Sequence, residues 1–332
     1  MIDLDVRLDS SLTEDELRFL AREQGIDVST FPETIFYNFS NAKKEDYESV
    51  RKFSLSLLQK EEAIEFAFAS LIHRYFNEGY VYLEIALNPF LHKEEGLNQR
   101  KVLKAALRGL NDALEKCPGI DANIILYCDR NAPSEYNLDT TRLAIEYKDE
   151  RVVAVGLEGE DKEHPMAEYE KLFARCKKIN YPVVISLDKS YNSTNSILKA
   201  IQIGAHRIIS PYRLEVTQEV FQILLERHVF FEFRPSMDLV YGFYPKLEEF
   251  PIKNLWRIGH HAFIASGADT LLRASLKNEF IHLGQHNGFT RDDVYHSLYM
   301  STQAAFTRSI HEKDRMIRKL SKYFEEFYLK TI

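Results

Sequence analysis

Short runs of apolar and β-branched residues recur along the chain, at Ile2–Leu8, Tyr80–Leu87, Ala122–Cys128, Arg151–Leu157, Pro182–Leu187, His206–Ser210, His228–Phe233 and His261–Ser266. Longer stretches in which apolar residues repeat with the helical period separate them. A parallel pair of strands needs a long return connection and a helix supplies it, so the alternation predicts parallel strands with crossover helices. Eight such units, with no Pro/Gly/Ser-rich linker, internal repeat or low-complexity tract between them, predict an α/β fold of the (β/α)8 barrel type, built as one domain over residues 1–332. The first unit carries consistent local signals. Thr13 can cap a helix with Glu16 three residues on, Leu12 and Leu17 can close over its start, and Gly25 can end it in a left-handed conformation, which predicts a helix over 13–24. Residues 31–77 carry no strand signal, and a helical insertion over the barrel mouth is expected there.

At 332 residues, 45% hydrophobic and 28% charged, the chain is long enough for a large core and too apolar for disorder. Cys117, Cys128 and Cys176 form neither an even set nor a C-x-x-C pair and read as reduced thiols. No stretch approaches the ~18 apolar residues of a membrane span, and no basic segment at the amino terminus leads into an apolar run. No membrane association and a cytoplasmic location are therefore expected. A formal charge of -7 and a pI near 5.9 speak against nucleic acid as a partner. His282 and His286 have the spacing of a helical metal pair but lie away from every strand end, as does the His260-His261 pair.

Barrels of this kind carry their chemistry at the carboxyl ends of the strands, so the residues closing each run are the ones to weigh. The first run reads Asp5-Val6-Arg7-Leu8-Asp9-Ser10-Ser11-Leu12, and the second ends Val81-Tyr82-Leu83-Glu84-Ile85-Ala86-Leu87-Asn88-Pro89. The fourth ends Gly156-Leu157-Glu158-Gly159-Glu160, the fifth Ser186-Leu187-Asp188-Lys189, the sixth Arg207-Ile208-Ile209-Ser210-Pro211, and the eighth Ser266-Gly267-Ala268-Asp269. In order and spacing these segments resemble the adenosine deaminase family, whose first, fifth, sixth and eighth strands end in H-x-H-L-D-G-S-L, H-A-G-E, R-I-G-H-G and T-D-D-P. The resemblance covers essentially the whole chain. It implies a barrel in which zinc activates water for attack on a purine, a glutamate shuttles protons and a histidine polarises the water.

On that resemblance the zinc-ligand positions fall on Asp5, Arg7, Ser186 and Gly267. The proton-shuttling carboxylate becomes Lys189, the water-polarising histidine Ser210, and Ala268 stands beside Gly267 in the aspartate pair. Gly159, which lies against substrate in the resembled family, is kept. An arginine is permanently protonated and has no acceptor, so Arg7 cannot ligate a metal, and a lysine cannot replace a carboxylate proton relay. No zinc, no other cofactor and no catalytic residue are therefore expected.

The expected function is that of an inactive deaminase-like barrel that binds a purine-like or anionic small molecule, or a protein partner. The candidate ligand-binding residues are Asp5, Arg7, Asp9, Gly159, Asp188, Lys189, Arg207 and Asp269. Three readings of the cations stand side by side. Arg7 and Lys189 form a salt-bridged plug neutralised by Asp5, Asp9, Asp188 or Asp269; or Arg7, Lys189 and Arg207 or Arg234 converge as an anion site; or Lys189 is a Schiff-base lysine. The alternative is an enzyme, either a hydrolytic purine nucleoside deaminase with a metal rebuilt on Asp5, Asp188 and Asp269, or a metal-free catalyst centred on Lys189.

Overall fold

The computed structural model describes residues 1–27, 36, 38, 40–159, 165–189, 193–212 and 217–329. Eight parallel strands pair in chain order: β1 (Ile2–Arg7), β2 (Tyr82–Leu87), β3 (Asp121–Asp129), β4 (Val152–Glu158), β5 (Val183–Ser186), β6 (Arg207–Ile209), β7 (Phe230–Phe233) and β8 (Ala262–Ile264). The seam between β8 and β1 is bridged at Val6 and Gly267, where the Gly267 N–H donates to the Asp5 carbonyl at 3.0 Å. The fold is the (β/α)8 barrel, and each predicted run lies on a strand with ends shifted by two residues at most.

Strands in such a barrel are covered on both faces, by the interior and by the helix layer, and β1, β2 and β4 are buried at every position. The strict two-residue period of β1 breaks at a register shift between Asp3 and Val6. Bulges of this sort re-aim side chains near functional ends of strands. Here Asp3 accepts from Ser266 N at 3.2 Å, whereas Asp5 and Arg7 reach groups inside the barrel.

The helices of the first half are α1 (Glu14–Glu23), α2 (Lys44–Ser56), α3 (Glu61–Asn77), α4 (Gln99–Lys116), α5 (Ser134–Glu146), α6 (Glu170–Lys178) and α7 (Thr194–Ile203). They are followed by α8 (Gln218–Glu226), α9 (Pro235–Val240), α10 (Ile252–Arg257), α11 (Leu276–His286), α12 (Arg291–Ala304) and α13 (Ile310–Leu329). α1 has the expected capping box, with Thr13 and Glu16 each accepting from the other's backbone N–H. The helical segment expected over 31–77 contains α2 and α3, and its first part lies largely outside the described residues. α3 packs against α4 in the outer layer, so within that segment it is α2 that reaches the barrel mouth.

The three cysteines are free and buried. Among the described residues no helix is long and apolar enough to cross a membrane.

Candidate functional site

Three strands deliver a charged side chain at their carboxyl ends: Arg7 closes β1, Asp129 closes β3 and Glu158 closes β4. Arg7 Nη2 donates to Glu158 Oε2, its Nε lies 3.9 Å from Asp9 Oδ1, and its guanidinium sits 5.7 Å from the Tyr127 ring centre. Burial acts to raise the Glu158 carboxyl, but Arg7, followed by Arg51, outweighs it and holds the group below the ordinary carboxylate range. Asn88, just past β2, supports the pair. Its Oδ1 accepts from Phe90 N at 3.2 Å, which turns Nδ2 toward Asp129 Oδ2 at 3.0 Å and Glu158 Oε1 at 2.8 Å.

Arg234, directly after β7, supplies the second buried guanidinium. Nη1 donates to Asp5 Oδ2 at 3.4 Å and Nη2 to Ser210 Oγ at 3.3 Å, with Asp238 Oδ1 3.6 Å from Nη2. Asp238 accepts from Ser210 Oγ at 2.6 Å, Tyr212 OH at 2.7 Å and Arg234 N at 2.8 Å. Burial pushes the Asp238 carboxyl up, with Arg234 opposing it. Gly267 makes room for this arrangement: at φ +68° it lies under the arginine stem, and a Cβ there would stand 2.7 Å from Arg234 Cδ and 3.1 Å from Met237 Sδ. An aspartate at position 267 and Arg234 in its present place exclude each other.

α2 covers the mouth through polar contacts. Arg51 Nε donates to Asp9 Oδ2 at 2.8 Å, Tyr47 OH and Ser10 Oγ share a hydrogen bond of 2.8 Å, and Tyr241 OH donates to Glu48. Burial works against ionised Asp9, but Arg51 and then Arg7 hold its carboxyl low. Beneath α2 lies a cavity of about 570 Å³. Of the sequence-derived candidates, Arg7, Gly159, Ser186, Asp188, Lys189 and Arg234 line it.

The expected plug is rearranged. Lys189 is exposed at the rim, its Nζ close to Gly242, and among the described residues it makes no ion pair. The partner of Asp5 is Arg234, and Arg7 is held by Glu158 more closely than by Asp9. The reason is position: Lys189 follows the end of β5 by three residues and emerges into solvent, whereas Arg234 leaves β7 pointing across the barrel. Among the described residues no side chain fills the cavity.

Arg207 is misplaced in the anion-site reading. As the first residue of β6 it lies at the opposite, amino-terminal end of the barrel, wholly buried, with Nη2 donating to Glu84 at 2.8 Å and Nη1 to Glu232 at 3.3 Å. Asp269 is turned away from the cavity, accepting from Tyr75 OH at 2.6 Å and Arg74 Nη1 at 3.0 Å. Ala268 is fully buried, and Ser210 serves the Arg234–Asp238 pair.

These residues do not fit a zinc ion. Of the four ligand positions, Arg7 offers no acceptor, Gly267 has no side chain, Ser186 is a neutral hydroxyl, and Asp5 is engaged by Arg234. Two guanidiniums beside the same point also repel a dication. A rebuilt carboxylate site is not assembled either, because Asp269 faces elsewhere, and among the described residues no three His, Cys, Asp or Glu side chains converge. His286 lies on α11 with Glu248 3.3 Å away, and His260 is a core residue.

Glu158, Asp129, Asn88, Arg51 and Asp238 are the site residues that sequence reasoning missed. Glu158 and Asp129 close their strands and were open to the same strand-end rule, although the apolar run of β3 breaks off one residue earlier, at Cys128. Arg51 meets Asp9 across 42 residues, and nothing local in α2 signals that contact.

The chain matches the family described as adenosine deaminase over residues 2–323. An adenosine deaminase from Haemophilus ducreyi is 27% identical over 322 residues, covering 94% of this chain and 93% of that protein. Two solved structures share the fold. Adenine deaminase from Arthrobacter aurescens has a TM-score of 0.83 at 16% identity, covering 98% of each chain. The N6-methyl-AMP deaminase from Arabidopsis thaliana has a TM-score of 0.84 at 18% identity, covering 98% of this chain and 97% of that one. On the match along nearly its whole length, this chain belongs to the adenosine deaminase family.

Proposed function

We propose that this chain binds a purine-like small molecule in the barrel-mouth cavity and does not perform zinc-dependent hydrolytic deamination. The observation that carries the reading is the Arg234 guanidinium lying over Gly267 and paired with Asp5, where the family pattern calls for a metal ligand. A cavity of about 570 Å³ is of the size that small ligands fill. An anion is the weaker candidate, because Arg7, Arg51 and Arg234 each already hold a carboxylate. A lysine-centred reaction gains no support, since an amine nucleophile needs desolvation or a neighbouring cation and Lys189 is exposed.

The relatives are named adenosine deaminase, so turnover is the direct challenge. Protein purified without chelator is expected to carry far less than one zinc per chain by plasma mass spectrometry, to leave adenosine unconverted, and to bind it saturably in titration calorimetry. Stoichiometric zinc together with inosine formation overturns the reading.

A further inference from the structure

Among the described residues Asp129, a carboxylate in the cavity wall, has no ion-pair partner. Arg7 neutralises Glu158 and Arg51 lies 3.6 Å from Glu48, but among the described residues nothing positive lies within 4 Å of Asp129, which Arg51 reaches only from farther off. Its partners are neutral: Asn88 Nδ2 at 3.0 Å on Oδ2 and the Asn131 N–H at 2.8 Å on Oδ1. A carboxylate accepts about four hydrogen bonds, so acceptor capacity is left over in a side chain that is only 8% exposed. The parallel register sets Asp129 directly beside Glu158, and the single Asn88 amide divides its two N–H groups between them. Burial, and then the Glu158 charge, push the Asp129 carboxyl up, with the Asn131 and Asn88 hydrogen bonds and the more distant Arg51 opposing them.

Gly159 leaves the corner open. At φ +99°, it stands where a Cβ would come 3.2 Å from Asp129 Oδ1. Any other residue would crowd the oxygen that Asp129 holds at the cavity wall.

We propose that Asp129 is the specificity residue of this cavity and reads an N–H-donating edge, the exocyclic amine of a nitrogen heterocycle. The assignment rests on the reading that the cavity binds a purine-like molecule. A donor placed on Asp129 relieves the repulsion between neighbouring carboxylates that Asn88 only shares out. A hydrogen bond to a buried charged group favours the donor-bearing ligand by about tenfold or more.

The test compares three nucleosides by titration calorimetry: adenosine, with an amino group; purine riboside, without one; and N6,N6-dimethyladenosine, which keeps the nitrogen but has no N–H. Wild-type protein is expected to bind adenosine at least about tenfold more tightly than either analogue. In Asp129→Asn that ratio is expected to fall below about threefold, with purine riboside bound as before, which also reports that the variant is folded. Equal binding of all three by wild type overturns the assignment while the binding reading stands. So does an Asp129→Asn variant that weakens all three alike. No binding of any nucleoside overturns both. If the variant does not fold, the three wild-type affinities still decide.

Discussion

The two ends of the barrel use the same ion chemistry to opposite effect. At the floor, Arg207 meets Glu84 and Glu232, donates to the carbonyls of Leu4 and Ala304, and lies 4.4 Å from the Phe306 ring centre, leaving no solvent-exposed surface on any of the three charged side chains. At the mouth, Arg7 and Arg234 meet Glu158 and Asp5 beside a cavity of about 570 Å³. Asp5 and Glu232 link the two ends. Burial, followed by the Asp5 charge, pushes the Glu232 carboxyl well above its ordinary range, and the paired groups run up the barrel from Arg207 through Glu232 and Asp5 to Arg234. A sealed arginine is a structural element. An arginine on a cavity wall also sets what the cavity accepts, and that is the ground for reading Arg234 as a replacement for metal chemistry.

The comparison breaks most readily at the floor. Arg207→Met removes the cation from two carboxylates that have no access to water, and breaking a buried pair by deleting one partner costs about 3–5 kcal/mol. Urea denaturation is expected to show a loss of that size or failure to accumulate folded protein. A loss under about 1 kcal/mol would mean the floor tolerates uncompensated carboxylates and is not the sealed region described.

Arg234→Met is expected to cost less, about 2–3 kcal/mol: Asp5 and Asp238, buried as they are, lose hydrogen bonds from a charged donor, but Arg234 itself lines the cavity, so the space its guanidinium vacates opens onto it. Urea denaturation of this variant against Arg207→Met measures the difference between the ends directly. A loss at position 234 equal to or larger than that at 207 would erase the distinction between mouth and floor.

The fold was legible because a parallel barrel buries its strands on both faces and so writes each as a nearly continuous apolar run. Exceptions such as Asp3, Asp5, Glu84 and Glu232 are confined to paired or hydrogen-bonded positions. The site was legible only in part. Arg7 could be placed from the end of β1, and Ser186 at the end of β5 and Gly267 just past β8 from strand order. Partners could not be assigned, because Arg234 and Asp5 are 229 residues apart and Arg7 and Glu158 are 151 apart. Lys189 misled because its position relative to the strand looked equivalent to a cavity residue, and only the path of the chain beyond Ser186 puts it at the rim. Arg207 misled in the other direction, as a three-residue strand leaves its first residue at the floor rather than near the mouth.

A smaller effect sharpens the contrast, namely whether the amino-terminal end of the barrel accepts any new charge. His260 precedes β8 and packs between Phe221 on α8 and Phe231 on β7, with ring centres at 4.7 and 5.2 Å. It is 4% exposed, and its Nε2 has no hydrogen-bond partner among the described residues. Burial, with the neighbouring His261 adding to it, lowers the imidazole from 6.5 to about 4. A group whose folded value is depressed takes up protons less readily in the native state than in the unfolded one. Its contribution to stability is therefore present above about pH 6.5 and is lost as pH falls toward 4. At pH 5 the loss amounts to about 2 kcal/mol relative to pH 7.5. His260→Phe, which keeps an aromatic ring between the two phenylalanines, is expected to lack that component, so urea midpoints of wild type and variant should diverge on acidification. Parallel profiles between pH 7.5 and 5 would mean that a charge on His260 is tolerated, and the amino-terminal end would then be no more closed to ions than the mouth.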